Sequence, residues 1–144
     1  MKILGIDHVA IATDDIDMDA PFWKYILGIN HSGREDVPQE GVTTDIYDTG
    51  RGKIELLADF GENSPIKRYV EKRGKGIHHI SLQVDNINAA AAELKEKGIR
   101  LISDEPKIGA EGYEIIFIHP ESTGGVLVEL AEKPELIPQS VPSV

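Results

Sequence analysis

The sequence predicts an α+β fold of two tandem βαβββ modules, whose curved mixed sheets form a metal-binding cleft. Three observations carry this. Ile6-Asp7-His8-Val9-Ala10-Ile11 is echoed 71 residues later by Ile77-His78-His79-Ile80-Ser81-Leu82. Each copy alternates apolar with small or polar residues at period two and is followed by a run of helical spacing that ends at a glycine. Finally, a His in the first strand and a Glu in the last strand recur in both halves.

The repeat extends beyond its opening strand. At the same offset Asp14 matches Asp85, Ile16 matches Ile87 and Ala20 matches Ala91. Leu27-Gly28-Ile29 answers Lys97-Gly98-Ile99 with a shift of one, and Ile54-Glu55-Leu56 answers Val128-Glu129-Leu130 at an offset of 74. A drift of about three residues is what loop insertions between related modules produce. The expected organisation is a first module over 1–61, a linker helix over 62–75, a second module over 76–132 and a tail over 133–144, all within one structural domain.

The elements follow in order. Strands are expected over 3–12 and 76–85 from their period-two alternation. In the first module Ile16, Ala20, Trp23, Ile26 and Leu27 recur at helical spacing up to Gly28. In the second, Asp85 or Asn86 caps a run rich in Ala, Glu, Leu and Lys that stops at Gly98. Further strands are expected over 29–36, 42–49 and 52–58, then over 99–103, 112–119 and 125–131. Ser64-Pro65 reads as an N-cap followed by proline at the first helical position, and Gly74 ends that linker helix. The tail PELIPQSVPSV has three prolines and little to bury, so an extended or disordered arm is expected.

Composition removes several function classes. The 144 residues contain no Cys, which excludes disulfide scaffolds, thiolate metal sites and cysteine nucleophiles. With 25 acids against 15 bases and a net charge of −10, nucleic acid is not the expected partner, because a phosphate backbone demands a positive footprint. No apolar run reaches the roughly 18 residues of a membrane span, and the start MKILGIDHVAIATDD lacks a signal-peptide pattern. A cytoplasmic location with no membrane partner is the expectation.

Strand parity selects a candidate site. Val9 and Ile11 oppose His8, Ala10 and Ala12; Ile80, Leu82 and Val84 oppose His79, Ser81 and Gln83. Glu55 opposes Ile54 and Leu56, and Glu129 opposes Val128 and Leu130. A lone strand His is ordinarily structural and a strand Glu ordinarily faces solvent; the recurrence of both in both halves turns those odds. His8, Glu55, His79 and Glu129 form an N2O2 donor set suited to a divalent ion with open positions: Co, Mn, Ni or Mg, with Zn also fitting. By the same parity His78 is expected off this face, as a packed or supporting residue.

The stretches IDHVAIA, KIELL, NSPIKRYVEKRGKGIHHISLQVD, IRLISDEPKIGAEG and FIHPESTGGVLVEL resemble the methylmalonyl-CoA epimerase family of the vicinal-oxygen-chelate superfamily. The similarity spans about Ile6 to Glu132; HHISLQVD points to the superfamily alone, whereas the linker and HPxSTGGVLVEL segments are more specific. The resemblance implies a glyoxalase-like fold, a metal held by His8, Glu55, His79 and Glu129 with Co2+ first in expectation, a CoA thioester substrate and a homodimer. The implied reaction exchanges the (2R) and (2S) epimers by proton removal and return at C2, with Glu129 as one acid/base. In the slot where well-known bacterial members carry the second glutamate, this chain has Thr44. Asp45 is the nearest carboxylate, but it lies one residue along the strand and so faces the other way.

Weaker substrate-binding expectations fall on Thr44 and on Gly109 and Gly112, in a loop whose N–H groups could meet a substrate oxygen. Lys67, Arg68, Lys72, Arg73 and Lys75 read first as a solvated helix face and second as a patch for CoA phosphates. Glyoxalase I is the alternative enzyme on this scaffold, since it uses a closely similar donor set. Extradiol dioxygenases use two His and one carboxylate, and Glu55 counts against them. A metal-free small-molecule binding protein of the same fold is the non-enzymatic alternative; retention of all four donors favours an enzyme.

Overall fold

The structure is a computed structural model that describes residues 1–135. Its elements are β1 (Ile3–Ala12), α1 (Ile16–Pro21), β2 (Asn30–Val37), β3 (Val42–Asp48), β4 (Lys53–Asp59), α2 (Pro65–Arg73), β5 (Gly76–Val84), α3 (Ile87–Glu96), β6 (Lys107–Ile108), β7 (Glu114–Ile118) and β8 (Val128–Glu132). All eight strands join one mixed sheet in the order β2-β3-β4-β1-β5-β8-β7-β6. The β1–β4 and β5–β8 pairs are parallel and the rest antiparallel, so the order reads alike from either end of the sheet. The sheet curls until its outer segments meet. The Gln39 amide donates to the Ile108 carbonyl at 3.0 Å, and the Glu111 N–H donates to the Glu35 carboxylate at 2.8 Å.

The helices divide between the two faces. In α3, Asn86 accepts from the Ala89 N–H at 2.9 Å, the expected cap. Ile87, Ala90, Ala91 and Leu94 recur on one side of α3 and bury against Val84, Ile116, Ile118 and Leu130 on the convex face. Ile16 of α1 does the same work in the other half, beside Tyr47, Leu56 and Ile11. Helix α2 behaves differently. Ser64 caps it, Pro65 opens it, and Ile66 packs on Ala10, Ala12 and Leu57, which belong to the concave face. The linker therefore closes one end of the cleft floor.

Three expectations change. The single helix expected from Ile16 to Leu27 is one short α-helix followed by a π-helical segment over Phe22–Ile26, with the Leu27 N–H bonded to the Phe22 carbonyl at 2.9 Å. Pro21 is the cause: it has no N–H for the preceding turn, and its ring crowds the carbonyl four residues back, so the ladder widens. No strand forms over 99–103, where Leu101 makes an isolated bridge to Ile118; the strand pairing with β7 is the two-residue β6. Ser103 turns the chain by donating to the Glu105 carbonyl, and Pro106 cannot donate to a ladder. Strands β7 and β8 begin later than expected, because Gly112, Gly124 and Gly125 take φ of 73°, 78° and 105°, which no strand accommodates. Of the expected tail, residues 136–144 lie outside the described residues. Among the described residues no helix is long and apolar enough to cross a membrane.

On the convex face Asp45 anchors β2 to β3. Its buried carboxylate accepts from the His31 Nε2–H at 2.6 Å, the Tyr47 hydroxyl at 2.5 Å and the Arg34 Nε–H at 3.3 Å. Burial acts to raise the Asp45 carboxyl, but the bonds from Tyr47, His31 and Arg34 outweigh it and hold it below the usual range.

Two outcomes follow from this packing. Ile116 is 1% exposed beneath α3, so Ile116→Ala costs about 2–5 kcal/mol in urea denaturation with an unchanged slope, whereas Ile26→Ala, at an exposed position, stays within about 0.5 kcal/mol. Because the folded-state Asp45 pKa is depressed, its stabilisation is full above the unfolded value of about 3.9 and is lost as pH falls through the folded value. Urea melts between about pH 3 and 7 therefore show a shallower acid loss in Asp45→Asn than in the parent protein.

Candidate metal centre

Register irregularities in the central strand pair build the site. Ile6 pairs with Leu82 and His8 with Ser81, which leaves Asp7 as an extra residue in β1. Ala10 pairs with His79 and Ile11 with Ile77, which leaves His78 as an extra residue in β5. A bulge suspends strict alternation. Asp7 and His8 consequently both reach the concave cavity, as do His78 and His79. The expectation that parity would turn His78 away is corrected by this bulge. Its ring lies edge-on to Tyr69, and its Nδ1 stands 2.8 Å from the His79 Nδ1, so it does support a site residue.

The four residues selected by parity line one cavity of about 270 Å3, and all are buried. The Nε2 atoms of His8 and His79 face each other at 3.2 Å. Glu129 approaches both, with one oxygen 3.6 Å from His8 Nε2 and the other 3.8 Å from His79 Nε2. These three donor groups lie within metal-binding reach of one another. Glu55 comes to the other side of the His8 ring, where Nδ1 is 2.8 Å from Glu55 Oε2 and 2.7 Å from Asp7 Oδ2. Asp7, His8 and Glu55 form a second convergent group. His8 is the member that both groups share.

The electrostatics are those of a site arranged around positive charge. Burial acts to lower the His8 imidazole, but its bonds to Asp7 and Glu55 outweigh it and hold it up at about 10. Burial drives His79 well below its ordinary value, helped by the neighbouring positive charge of His8 and by His78. Burial pushes Glu129 up to about 7, against the opposing pull of His8. His78 falls to about 4 through burial and the nearby Arg73 guanidinium. A neutral His79 and a protonated His8 thus share the pocket with the carboxyl groups of Asp7, Glu55 and Glu129. The Oε1 of Glu129 and the neighbouring Ser81 Oγ are buried without a hydrogen-bond partner, an expensive condition that a coordinated cation would relieve at the carboxylate. Imidazole and carboxylate donors around an orphaned oxygen fit a divalent ion.

The other candidates separate cleanly. Thr44 is 2% exposed on the cavity wall contributed by β3. Asp45 does not line the cavity; it points to the convex face, as one step along a strand requires. Gly109 lines the cavity and Gly112 does not. A Cβ on Gly109 would come within 2.8 Å of Ile115, so the loop passes close there. The N–H groups of Gly109 and Glu111 are already bonded, to the Tyr113 carbonyl and the Glu35 carboxylate. Lys67, Arg68, Lys72 and Arg73 are exposed on α2, and Lys75 pairs with Asp19 at 2.8 Å.

Sequence reasoning missed Asp7, Lys53 and Glu111. Lys53 could have been found, since it shares the parity of Glu55 on β4. Asp7 could not, because only the bulge turns it inward.

Comparison with known proteins agrees with this geometry. Residues 7–117 match the Glyoxalase/Bleomycin resistance protein/Dioxygenase superfamily. The human mitochondrial methylmalonyl-CoA epimerase is 47% identical over 88% of this chain and 73% of its own length. The ethylmalonyl-CoA/methylmalonyl-CoA epimerase of Cereibacter sphaeroides is 43% identical over 88% of this chain and 96% of its own. A variant of the Streptomyces coelicolor methylmalonyl-CoA epimerase, solved in complex with 2-nitronate-propionyl-CoA, superposes with a TM-score of 0.87 at 31% identity, covering 93% of this chain and 100% of that one. On this identity and coverage, the chain belongs to the methylmalonyl-CoA epimerase family within that superfamily.

Proposed function

We propose that this protein is an isomerase that interconverts (2R)- and (2S)-methylmalonyl-CoA by removing and returning the proton at C2. The observation that carries the reading is the buried convergence of His8, His79 and Glu129 in a chain 47% identical to a methylmalonyl-CoA epimerase. The C2 proton lies between a thioester and a carboxylate, so its removal leaves an enolate-type anion whose charge the site must accommodate. A bound divalent cation, Co2+ foremost, supplies Lewis acidity that lowers the cost of that charge. His8, His79 and Glu129 would hold it, and Glu55 is the fourth donor in the same cavity.

The chain's own residues do the rest. Glu129 sits among both imidazoles and is held near neutrality by burial, where a carboxyl can both take and give a proton. Asp7 fixes the His8 ring through Nδ1 and so sets which nitrogen faces the cavity centre. Inversion requires a donor on the opposite side. Thr44 offers its hydroxyl there as a seat for the water that returns a proton to C2, and the proton taken up by Glu129 passes to the hydroxide left behind, which restores the site. Phe117, Ile115 and Leu127 supply apolar wall that keeps other water out. The protein is also proposed to act as a homodimer. Ile3, Leu4, Ile6 and Ile77, all exposed on the central strand pair, are the apolar side chains a second copy would cover.

Incubated with methylmalonyl-CoA in D2O, the metal-loaded protein exchanges deuterium into C2, and Glu129→Gln slows that exchange by about 100- to 10,000-fold. Absence of exchange with every divalent metal overturns the assignment; a hemithioacetal of glutathione serves as the parallel substrate. The metal is checked without turnover. At Co2+ about 100-fold above Kd, bound ion adds about 2.7 kcal/mol of stability over protein kept in EDTA, seen as a higher Tm. His79→Ala abolishes that shift.

A further inference from the structure

The cavity has an odd charge balance for an anionic substrate. Five carboxylates line it, on Asp7, Glu40, Glu55, Glu111 and Glu129, and among the described lining residues Lys53 is the one Lys or Arg. A divalent ion offsets the carboxylates that ligate it. It does not explain why one long cationic side chain is brought inside, with its side chain only 10% exposed.

Lys53 enters β4 two residues before Glu55, so the two side chains share the concave face. Its ammonium lies 3.3 Å from Asp7 Oδ2, 3.0 Å from Glu111 Oε1 and 4.6 Å from the centre of the Tyr113 ring. The two carboxylate partners are unequal. Asp7 is 7% exposed and committed to His8, and it cannot leave without stranding two cations. Glu111 is 36% exposed, makes its ion pair from a loop, and carries the one positive φ found on a non-glycine residue among the described residues, 58°. A side chain held on a left-handed backbone by a single ion pair is a displaceable partner.

The loop itself offers little else to a substrate oxygen. The Gly109 and Glu111 amides are spent on Tyr113 and Glu35, and the charged group that could meet an anion at this wall is the Lys53 ammonium. We propose that Lys53 binds the free carboxylate of the substrate, and that Glu111 occupies this seat as an internal carboxylate until the substrate displaces it. The inference rests on a malonyl-type thioester being the substrate. It adds a specificity residue to that reading: thioesters with a free carboxylate on the acyl carbon are selected over monoacyl thioesters because only they replace Glu111. Gln39 and Glu35 keep the loop over the cavity while the exchange takes place.

Equilibrium binding of malonyl-CoA and propionyl-CoA to the metal-loaded protein tests this, since the two differ by that carboxylate and neither is epimerised. The parent protein prefers malonyl-CoA. Lys53→Gln weakens malonyl-CoA by about 10- to 100-fold, the worth of one charge-assisted hydrogen bond, and leaves propionyl-CoA within about twofold. Glu111→Gln removes the competitor and tightens malonyl-CoA by about 3- to 10-fold. Glu111 lies on the surface, so its variant reports on the seat even where Lys53→Gln fails to fold. Equal weakening of both thioesters by Lys53→Gln, or unchanged malonyl-CoA affinity in Glu111→Gln, overturns the role of Lys53 and leaves the substrate reading intact. A parent protein that binds neither thioester overturns both.

Discussion

Across the central strand pair the Nε2 atoms of His8 and His79 come within 3.2 Å of each other, buried, with a carboxylate oxygen of Glu129 near each. Two imidazoles at that distance cannot both carry a proton on the facing nitrogens. The bonds to Asp7 and Glu55 hold the His8 pKa up while burial holds that of His79 down, so the proton belongs on His8. The His8 charge therefore joins the Lys53 ammonium among the acids. In a dry pocket that charge is not optional, because unpaired carboxylates cost several kcal/mol each to bury, on the order of what a small domain has to spare. The donors that converge there are arranged to hold a cation.

The rest of the architecture keeps those nitrogens in place. The two parallel pairs, β1–β4 and β5–β8, put each Glu-bearing strand beside its His-bearing strand. The antiparallel β1–β5 pair then sets the two halves face to face. Apolar clusters under α1 and α3 stiffen the convex side, while Ile66 of α2 closes one end of the concave side. The Asp45 network does for β2 and β3 what packing does elsewhere, at a place where the convex surface is too polar for a core. Adjacent residues on β3 thus have separate duties. Thr44 faces the chemistry and Asp45 faces away from it.

Membership in an epimerase family makes the thrift of this site intelligible. A reaction that moves one proton off and onto the same carbon needs charge stabilisation, a group that titrates near neutrality and exclusion of bulk water. Burial of Glu129 serves two of these needs, since the apolar surroundings that raise its pKa also keep the cavity dry. The overall charge of −10 is no obstacle to an anionic substrate, because the field that matters is local.

Much of this was legible in the sequence. The duplicated pattern, the period-two strands, the Asn86 and Ser64 caps and the shared cavity face of His8, Glu55, His79 and Glu129 all follow from spacing, because they depend on backbone geometry within a few residues. Parity even separated Thr44 from Asp45. What spacing could not carry was register between strands distant in sequence. The bulges at Asp7 and His78 exist only because β1 and β5 are paired, and they turn inward two residues that local alternation assigns outward. The missing strand over 99–103 and the π-helical Phe22–Ile26 segment also depended on competition, between a proline's lost donor and the pairing offered by neighbours. The ion pair from Lys53 to Glu111 spans 58 residues and forms because the sheet curls its outer segments together. The sequence by itself determined which side chains could share a face. Tertiary structure decided which faces meet and which charges must balance there, since hydrogen-bond register and burial are properties of the closed sheet and not of any one strand.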